Sequence, residues 1–468
     1  MPWNGKPGPP ETGSQGEHGG RRKAIYAWAG YDWANSAFTT LVVTFVYSAY
    51  FTRAIAPDPV SGTVLWSRAV AVSGLLIALL APFLGLLADR GRNRHRYLIG
   101  ATLVCIVATA ALAFVAPGAP RAVWLALTIF VVANVAFEVG GVFYNAFLPD
   151  IAPPERLGGV SGLGWGLGYA GGLGCLALAL VVLVRDTPLF GIGTALGFHY
   201  RATNLLVALW FLVFSLPMLA LSVRWGKSRG DALVFRDAGG GDGARPRGLR
   251  QTFTALGRHR DTLWFLAARL VYNDGLVTVF AFGGIYAAGT FGMSLSEVIR
   301  FGIGINVAAA LGAWVFGSVD DRFGGKRTIL ITLLALAGFT LLAALAPNRT
   351  WLWVAGLGIG VFAGPNQAAS RALLGRFAPP GRRSGFFGLF AFSGKLTAFL
   401  GPLLMGVATG WAGSQRVGVA TTLVFFVVGG ALLLRVNEER GVARGRGLDP
   451  SHPGGKSHCR INPGAIAL

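Results

Sequence analysis

Few side chains in this sequence carry charge or strong polarity within its long apolar runs, and those few define the chemistry open to it. Asp32, Asn35 and Ser36 stand at i, i+3 and i+4 in the stretch YDWANSAF, so a helix presents them on one face. Asn134, Glu138 and Asn145 fall at i, i+4 and i+11, again on one helical face, which Gly141 shares. Arg269 and Asn273 form another i, i+4 pair, with Asp274 beside them; Asn366 and Gln367 are adjacent, and Lys395 stands alone. Carboxylates, amides and cations in such surroundings bind a small polar or zwitterionic solute, or carry a proton. Each also has a plainer use. Asp32 suits an ion pair with a nearby arginine, and Lys395 suits a counter-ion. Glu138, alone among its helix's charges and with no neighbour to neutralise it, is the best candidate for a protonatable group. Asp274 and Arg269 are five residues apart, a poor spacing for pairing on one helix, so partners on other helices are expected.

The elements that position these residues follow from composition. The chain of 468 residues is 53% hydrophobic and 13% charged, against about 25% charged in soluble proteins. Apolar stretches of roughly 20 residues, the length a bilayer core demands, recur twelve times. They cover about 24–51, 62–88, 97–116, 121–148, 157–184, 202–223, 261–288, 296–318, 328–346, 350–370, 383–411 and 417–435. The expected fold class is an all-α membrane protein with twelve transmembrane helices. An ionisable group at mid-membrane costs roughly 2.5–3.5 kcal/mol on insertion scales, so it faces a cavity or a partner. At about 1.5 Å per residue, Asp32 is roughly 12 Å in from Ala24, and Lys395 is close to the midplane.

A net charge of +21 raises nucleic acid as a partner, and its distribution argues against that. With a cytoplasmic N-terminus, the tails and even-numbered loops hold 31 of the 41 Lys and Arg, and the opposite side about 8. That asymmetry is the positive-inside rule, and it places both termini in the cytoplasm. Arg outnumbers Lys 35 to 6, which fits a GC-rich bacterial genome and hence a plasma membrane. Cys105, Cys175 and Cys459 are too few and too scattered for a disulfide framework or a zinc site, and the six histidines form no cluster. No metal, cofactor, catalytic triad or P-loop is expected, so the chain reads as a non-enzyme. Its expected partners are the lipid bilayer, a small-molecule substrate and a coupling proton, with the protein a monomer.

The chain divides into a disordered N-terminal tail (1–20), a six-helix bundle (21–223), a flexible polar linker (224–260), a second six-helix bundle (261–436) and a disordered C-terminal tail (437–468). The halves echo each other. GLLADRGRNRHR, from Gly85, and GSVDDRFGGKR, from Gly317, lie between the second and third helices of their halves. IAPPERLGGVSG, from Ile151, and FAPPGRRSGFFG, from Phe377, lie between the fourth and fifth. The offsets, 232 and 226 residues, are those of an internal duplication. Helix 5 contains Gly166, Gly168 and Gly171 in the order G-x-G-x-x-G. No strand precedes them, so a dinucleotide site is not expected. They belong to two ladders of small residues, Gly158, Gly162, Gly166 and Gly164, Gly168, Gly172, that let membrane helices touch.

The duplicated loop carries Gly85, Asp89, Arg90, Gly91 and Arg92, and again Gly317, Asp321, Arg322, Gly324 and Lys326. It resembles the loop signature of the major facilitator superfamily, whose two bundles are related by an axis along the membrane normal. In such a turn the aspartate meets a helix N-terminus or an arginine of the adjacent bundle, so these residues, with Arg371, are read as a conformational gate. YDWANSAF, FYNAFLPDIAPPER, SGLGWGLGYAGG, YNDG, NQAASRALL and FFGLFAFSGKLTAFLGPLL together resemble the vacuole-effluxer branch, named for autophagy-related proteins of fungal vacuoles. Ser370 and Arg371 sit where that branch tends to have a Ser-Arg pair. The resemblance implies helices 1, 4, 7 and 10 around a central cavity, and a secondary active exporter. It implies amino acids as the substrate suggested by the fungal members. The competing readings are a lipid or drug exporter and a transporter-like receptor that completes no cycle.

Cysteines placed in 85–96, 224–260 and 371–383 should react with an impermeant thiol reagent from the cytoplasmic side. Those near Arg121, Leu189 and Arg349 should react from outside. A reversed pattern at any even-numbered loop would sink the twelve-helix topology.

Overall fold

A computed structural model describes residues 14–91, 93–119, 121–185, 187–234 and 259–448. The apolar stretches form helices almost end to end. In the first half these are α1 (Ser14–Ala37), α2 (Pro59–Gly91), α3 (Arg94–Leu112), α4 (Ala122–Ile151), α5 (Leu157–Val182) and α6 (Phe198–Val234). In the second they are α7 (Arg260–Phe291), α8 (Leu295–Phe323), α9 (Gly325–Leu345) and α10 (Arg349–Phe377). Next come α11, in two segments (Arg383–Lys395 and Leu400–Ala412), and α12, also in two (Gln415–Ala420 and Thr422–Leu434). A short α13 (Glu438–Gly445) follows. Among the described residues, eleven helical spans are long and apolar enough to cross a membrane. The twelfth, α10, has the length but is diluted by Asn366, Gln367, Ser370, Arg371 and Arg376.

Three expected boundaries move. Helix α1 already begins at Ser14, inside the tail expected to be disordered. Helix α6 runs to Val234, past the expected start of the linker at Arg224. The C-terminal tail opens with α13, which is tied down by charge. The Glu438 carboxylate accepts from the backbone N–H groups of Gly325 and Lys326 at the start of α9, both at 2.9 Å. Arg440 grips Asp261 at the start of α7 with two 2.6 Å hydrogen bonds. Residues 1–13, 235–258 and 449–468 lie outside the described part, as does Arg92.

Two local irregularities have readable causes. Beyond Ala37 the first helix continues through wide π turns, Phe38–Phe45 and Phe51–Ile55, around a short helical piece, Tyr47–Tyr50. The Thr44 hydroxyl donates to the carbonyl of Thr39, five residues back, which is the spacing of a π turn. Helix α11 breaks between Lys395 and Leu400 because Pro402 has no N–H and its ring would collide with the carbonyl four residues earlier.

The two sets of six meet chiefly where α5 lies on α8 and α2 lies on α11, with α10 against α5 and α11 against α4. Glycine makes the first of these contacts intimate. A side chain at Gly162 would strike the Ala313 carbonyl of α8, and one at Gly166 the Ala310 carbonyl. The interleaved ladder faces another way. Side chains at Gly164, Gly168 and Gly172 would strike Asp32 and Trp28, Ser36, and Thr40 of α1. So α5 is held between a helix of its own bundle and a helix of the other.

Overpacking a tight contact costs roughly 1–3 kcal/mol, and its effect here depends on which contact is overpacked. Gly171→Val, against the Trp33 backbone within one bundle, should lower the melting temperature by several degrees. Gly162→Val should instead separate the bundles, leaving melting nearly unchanged and making a cysteine at the buried Ala368 reactive. Equal melting losses for both variants would contradict this assignment of faces.

Candidate functional site

The half of the molecule that carries the termini and the signature loops, called the basic face below, is shut by contacts that cross between bundles. Asp89 at the end of α2 accepts from the backbone N–H groups of Ser384 (3.0 Å) and Gly385 (2.7 Å), in the first turn of α11. Asp321 at the end of α8 accepts from those of Gly158 (2.7 Å) and Gly159 (2.8 Å), in the first turn of α5. Each carboxylate thus satisfies two orphan donors and meets the positive end of a helix dipole. The arrangement is crosswise: each copy of one duplicated motif caps the helix opened by the opposite copy of the other. Gly85 and Gly317 permit the approach, since side chains there would meet Ser384 and Gly159. The signature's arginines, Arg90 and Arg322, make no side-chain hydrogen bond or ion pair with another described residue.

Deeper in, Arg371 does not sit in a loop as the sequence suggested. It lies inside α10, 3% exposed, and reaches into the other bundle. Its guanidinium donates to the Asp32 carboxylate at 2.8 Å, to the Asn145 side chain at 3.3 Å, and to the hydroxyl and carbonyl of Ser161 at 2.9 and 2.7 Å. The rings of Trp28, Tyr144 and Trp165 surround it, with centroids at 4.7, 5.9 and 5.6 Å, a cation–π setting. Trp28 and Tyr144 are themselves stacked and exchange hydrogen bonds with each other's backbone carbonyls. YDWANSAF builds this cage. Tyr31 anchors α1 to Thr102 of α3 at 2.7 Å, Asp32 takes the arginine, Trp33 stacks on Trp210 of α6, and Phe38 packs on Phe137 of α4. Asp150 adds a further tie, pairing with Arg94 in its own bundle and Arg383 in the other.

Near mid-membrane, Glu138 of α4 meets Lys395 of α11 at 2.6 Å. The expectation that Glu138 has no neutralising neighbour is therefore corrected: its partner comes from the other half of the sequence. Arg269 donates to the Phe390 carbonyl (2.6 Å) and the Ser393 hydroxyl (2.9 Å) of α11. Its guanidinium lies 3.5 Å from the Phe390 ring centroid. Asn273 donates to the Gly394 carbonyl at 3.0 Å. Asp274 is 2% exposed and accepts from Thr397 at 3.3 Å.

The opposite half contains a cavity of about 950 Å³. Ser36, Thr40 and Thr44 of α1, Trp165 and Tyr169 of α5, Asn273 of α7, Asn306 of α8 and Gln367 of α10 give it polar points. Aromatic and aliphatic side chains, among them Phe280, Phe282, Phe301 and Ile359, fill much of the remaining wall. Of the eleven residues expected on the substrate or ion pathway, Asn273 and Gln367 line the cavity; Asp32, Glu138, Asn145, Arg269, Asp274 and Lys395 lie in the contacts described above, and the remaining three are elsewhere. Asn134 donates to Ser73 of α2, and Asn366 to Thr332 of α9, each within its own bundle. Asn35 is 9% exposed and does not line the cavity either. Helical spacing shows that residues share a face, but not which neighbour the face meets. The cage residues Trp28, Tyr144, Trp165 and Ser161 passed unnoticed in the sequence, because aromatic and hydroxyl residues are ordinary in apolar helices.

The comparisons with known proteins agree with this architecture. A family model described as "Vacuole effluxer Atg22 like" matches residues 60–445. The chain is 27% identical over 420 residues to an uncharacterized MFS-type transporter, YxiO, of Bacillus subtilis (strain 168), covering 88% of this chain and 94% of that one. It is 26% identical over 306 residues to autophagy-related protein 22-1 of Neosartorya fischeri, covering 60% of this chain and spanning about half (48%) of that relative's length. Among solved structures it resembles the E. coli fucose:proton symporter FucP, with a TM-score of 0.68, 14% identity, and coverage of 89% of this chain and 98% of that one. Twelve long helices in two bundles, crosswise caps between them and a matching family span lead to one assignment: the chain belongs to the vacuole effluxer Atg22-like family and is a multi-pass membrane transporter of the major facilitator type.

Proposed function

We propose that the protein is a proton-coupled exporter of small polar solutes, with amino acids foremost, in a bacterial plasma membrane. The basic face is the cytoplasmic one on the positive-inside argument, and the cavity faces outward in the state described. The observation that carries the solute class is the Glu138–Lys395 pair. Its side chains are 26% and 31% exposed near mid-membrane, and Asn273 joins their neighbourhood to the cavity wall. A zwitterion offers a carboxylate to Lys395 and an ammonium to Glu138, so it replaces the internal pair without leaving either charge bare. Arg269, packed against Gly394 beside Lys395, adds positive potential next to the pair.

A second reading has its own support. Among the described residues no charged side chain lines the cavity, and Phe280, Phe282, Ile285, Phe301 and Ile305 do, which suits an amphipathic lipid or drug. Counterflow in proteoliposomes against an amino-acid panel, with and without a pH gradient, separates the two. Exchange of at least one amino acid supports the first reading. No exchange at any pH, together with movement of an amphipathic dye, supports the second.

The gate yields two further expectations. Asp32→Asn leaves the Arg371 guanidinium without its anion, and breaking a buried pair costs roughly 3–5 kcal/mol. Melting temperature and transport should therefore fall together. Adding Arg371→Gln should restore melting but not transport. A stable, fully active Asp32→Asn protein would remove the pair from the cycle. At the crosswise caps, Asp89→Ala or Asp321→Ala forfeits charge-assisted hydrogen bonds that contribute roughly 1.5–3 kcal/mol each. Either should slow transport while the protein remains inserted and folded. Unchanged rates would reduce both caps to surface solvation.

A further inference from the structure

The proton site that the transport reading calls for has a location in the geometry around Lys395. Its backbone lies between two contacts to α7. The residue before it, Gly394, accepts from Asn273 at 3.0 Å. Two residues after it, Thr397 donates to the Asp274 carboxylate at 3.3 Å and to the Leu270 carbonyl at 3.2 Å. Lys395 is also the last residue before the break in α11, so its backbone is not clamped by a continuing helix. Its side chain crosses to Glu138 of the other bundle.

Asp274 differs from the other acids buried in the membrane domain, each of which has a cation or, like Asp89, a pair of backbone N–H groups to answer its charge. Among the described residues, Asp32, Asp150, Asp261, Asp320 and Glu138 each have a Lys or Arg nitrogen within 4.0 Å. None stands that close to Asp274. The groups facing it are few. Its own helix contributes Arg269, which is turned to α11, and Tyr272, which is hydrogen-bonded to Ser370 of α10. Helix α11 contributes Thr397 and Gly401, with Lys395 two residues before Thr397 and its side chain turned to Glu138. Helix α12 packs Phe425 and Phe426 against the adjoining Gly275 and presents no charge there. An ionised carboxylate in such a place has no compensation, and a proton supplies it.

We propose that Asp274 is the coupling proton's binding site, and that Lys395 is shared between it and Glu138. With the basic face closed, Asp274 holds the proton and Lys395 ties the bundles together through Glu138. As the basic face opens, Lys395 leaves Glu138 for Asp274, and the Asp274 O–H proton passes to solvent on that face. The three groups are neutral together in the closed state and carry one net negative charge in the open state, the difference being the released proton, with the freed Glu138 carboxylate answered by solvent. A site that binds its proton from the cavity side and releases it at the basic face carries protons in that direction. The inference rests on the transporter reading but not on any particular solute.

The test therefore uses none. The full chain in nanodiscs carries spin labels at Arg96 and Arg327, exposed positions at the basic ends of α3 and α9, and their separation is measured against pH. The wild-type distribution should shift to longer distances as pH rises, since the open state binds the proton less well. Asp274→Asn should stay short at every pH, and Glu138→Gln, which releases Lys395, should stay long. Lys395→Gln should lose the response, while Asp274→Glu should keep it. Infrared spectra of the same samples should show a carboxylic acid C=O band that fades with rising pH in the wild type and is missing in a folded Asp274→Asn protein. A wild type insensitive to pH, or an Asp274→Asn protein that shifts as the wild type does, would overturn the proposal. Failure of amino-acid counterflow would leave these distances untouched, so the two ideas fail separately.

Discussion

A guanidinium placed in a membrane interior must have its charge and its donors answered at once, and for Arg371 every answer comes from the other bundle. That constraint organises the basic half of the molecule. The carboxylate must come from α1, so Asp32 sits on the face turned to α5 and α10. The aromatic rings must approach closely, and Trp28 and Tyr144 are held against each other by stacking and two hydrogen bonds that do not involve the arginine. Gly164 must be bare, because a side chain there would occupy the space of Asp32, Trp28 and Arg371. Closure is accordingly a discrete arrangement. A guanidinium half withdrawn would lose several partners together, and packed interfaces of this kind are bistable and not continuously deformable.

Around this single pairing the seal is symmetrical, whereas the chemistry is not. The crosswise caps of Asp89 and Asp321 obey the duplication. The first half has no broken helix to match α11, and Asp32 and Glu138 of that half find their cations on α10 and α11 of the second. One duplicated scaffold thus supplies two equivalent capping contacts, while the ion pairs that cross between the halves put the acids on one copy and the cations on the other. The π turns at the far end of α1 belong to the same asymmetry. They place Thr39, Thr40 and Thr44 along the cavity, in the part of the molecule where the two bundles stand apart.

Much of this was legible in the sequence, for stated reasons. Segment lengths fixed the helices, and the repeated loop fixed the halves. The same loop chemistry pointed to a helix N-terminus or an arginine of the adjacent bundle, and Asp89 and Asp321 are found on the first of these. What was not legible depends on pairing between halves. Nothing near Glu138 in sequence announces Lys395, because the helix that carries it is brought alongside only by bundle docking. Asn134 and Asn366 were legible as buried amides but not as inward-turned ones, since Ser73 and Thr332, their partners, look like any hydroxyl in an apolar helix. The tail beyond Asn437 reads as polar and loose. The N-terminus of α9, Arg376 of α10 and the buried Asp261 give its Glu438 and Arg440 something to hold.

The glycine ladders of α5 also bear on how such a chain changes over generations. One ladder is closed to side chains by α8 and the other by α1, so two of the helix's faces admit almost no replacement. Neutral drift in α5 is confined to the remaining strip, where Leu178, Leu180 and Val181 are exposed and one aliphatic residue serves as well as another. A change of solute must therefore come from the walls contributed by other helices and from Trp165 and Tyr169, the two large side chains that α5 gives to the cavity.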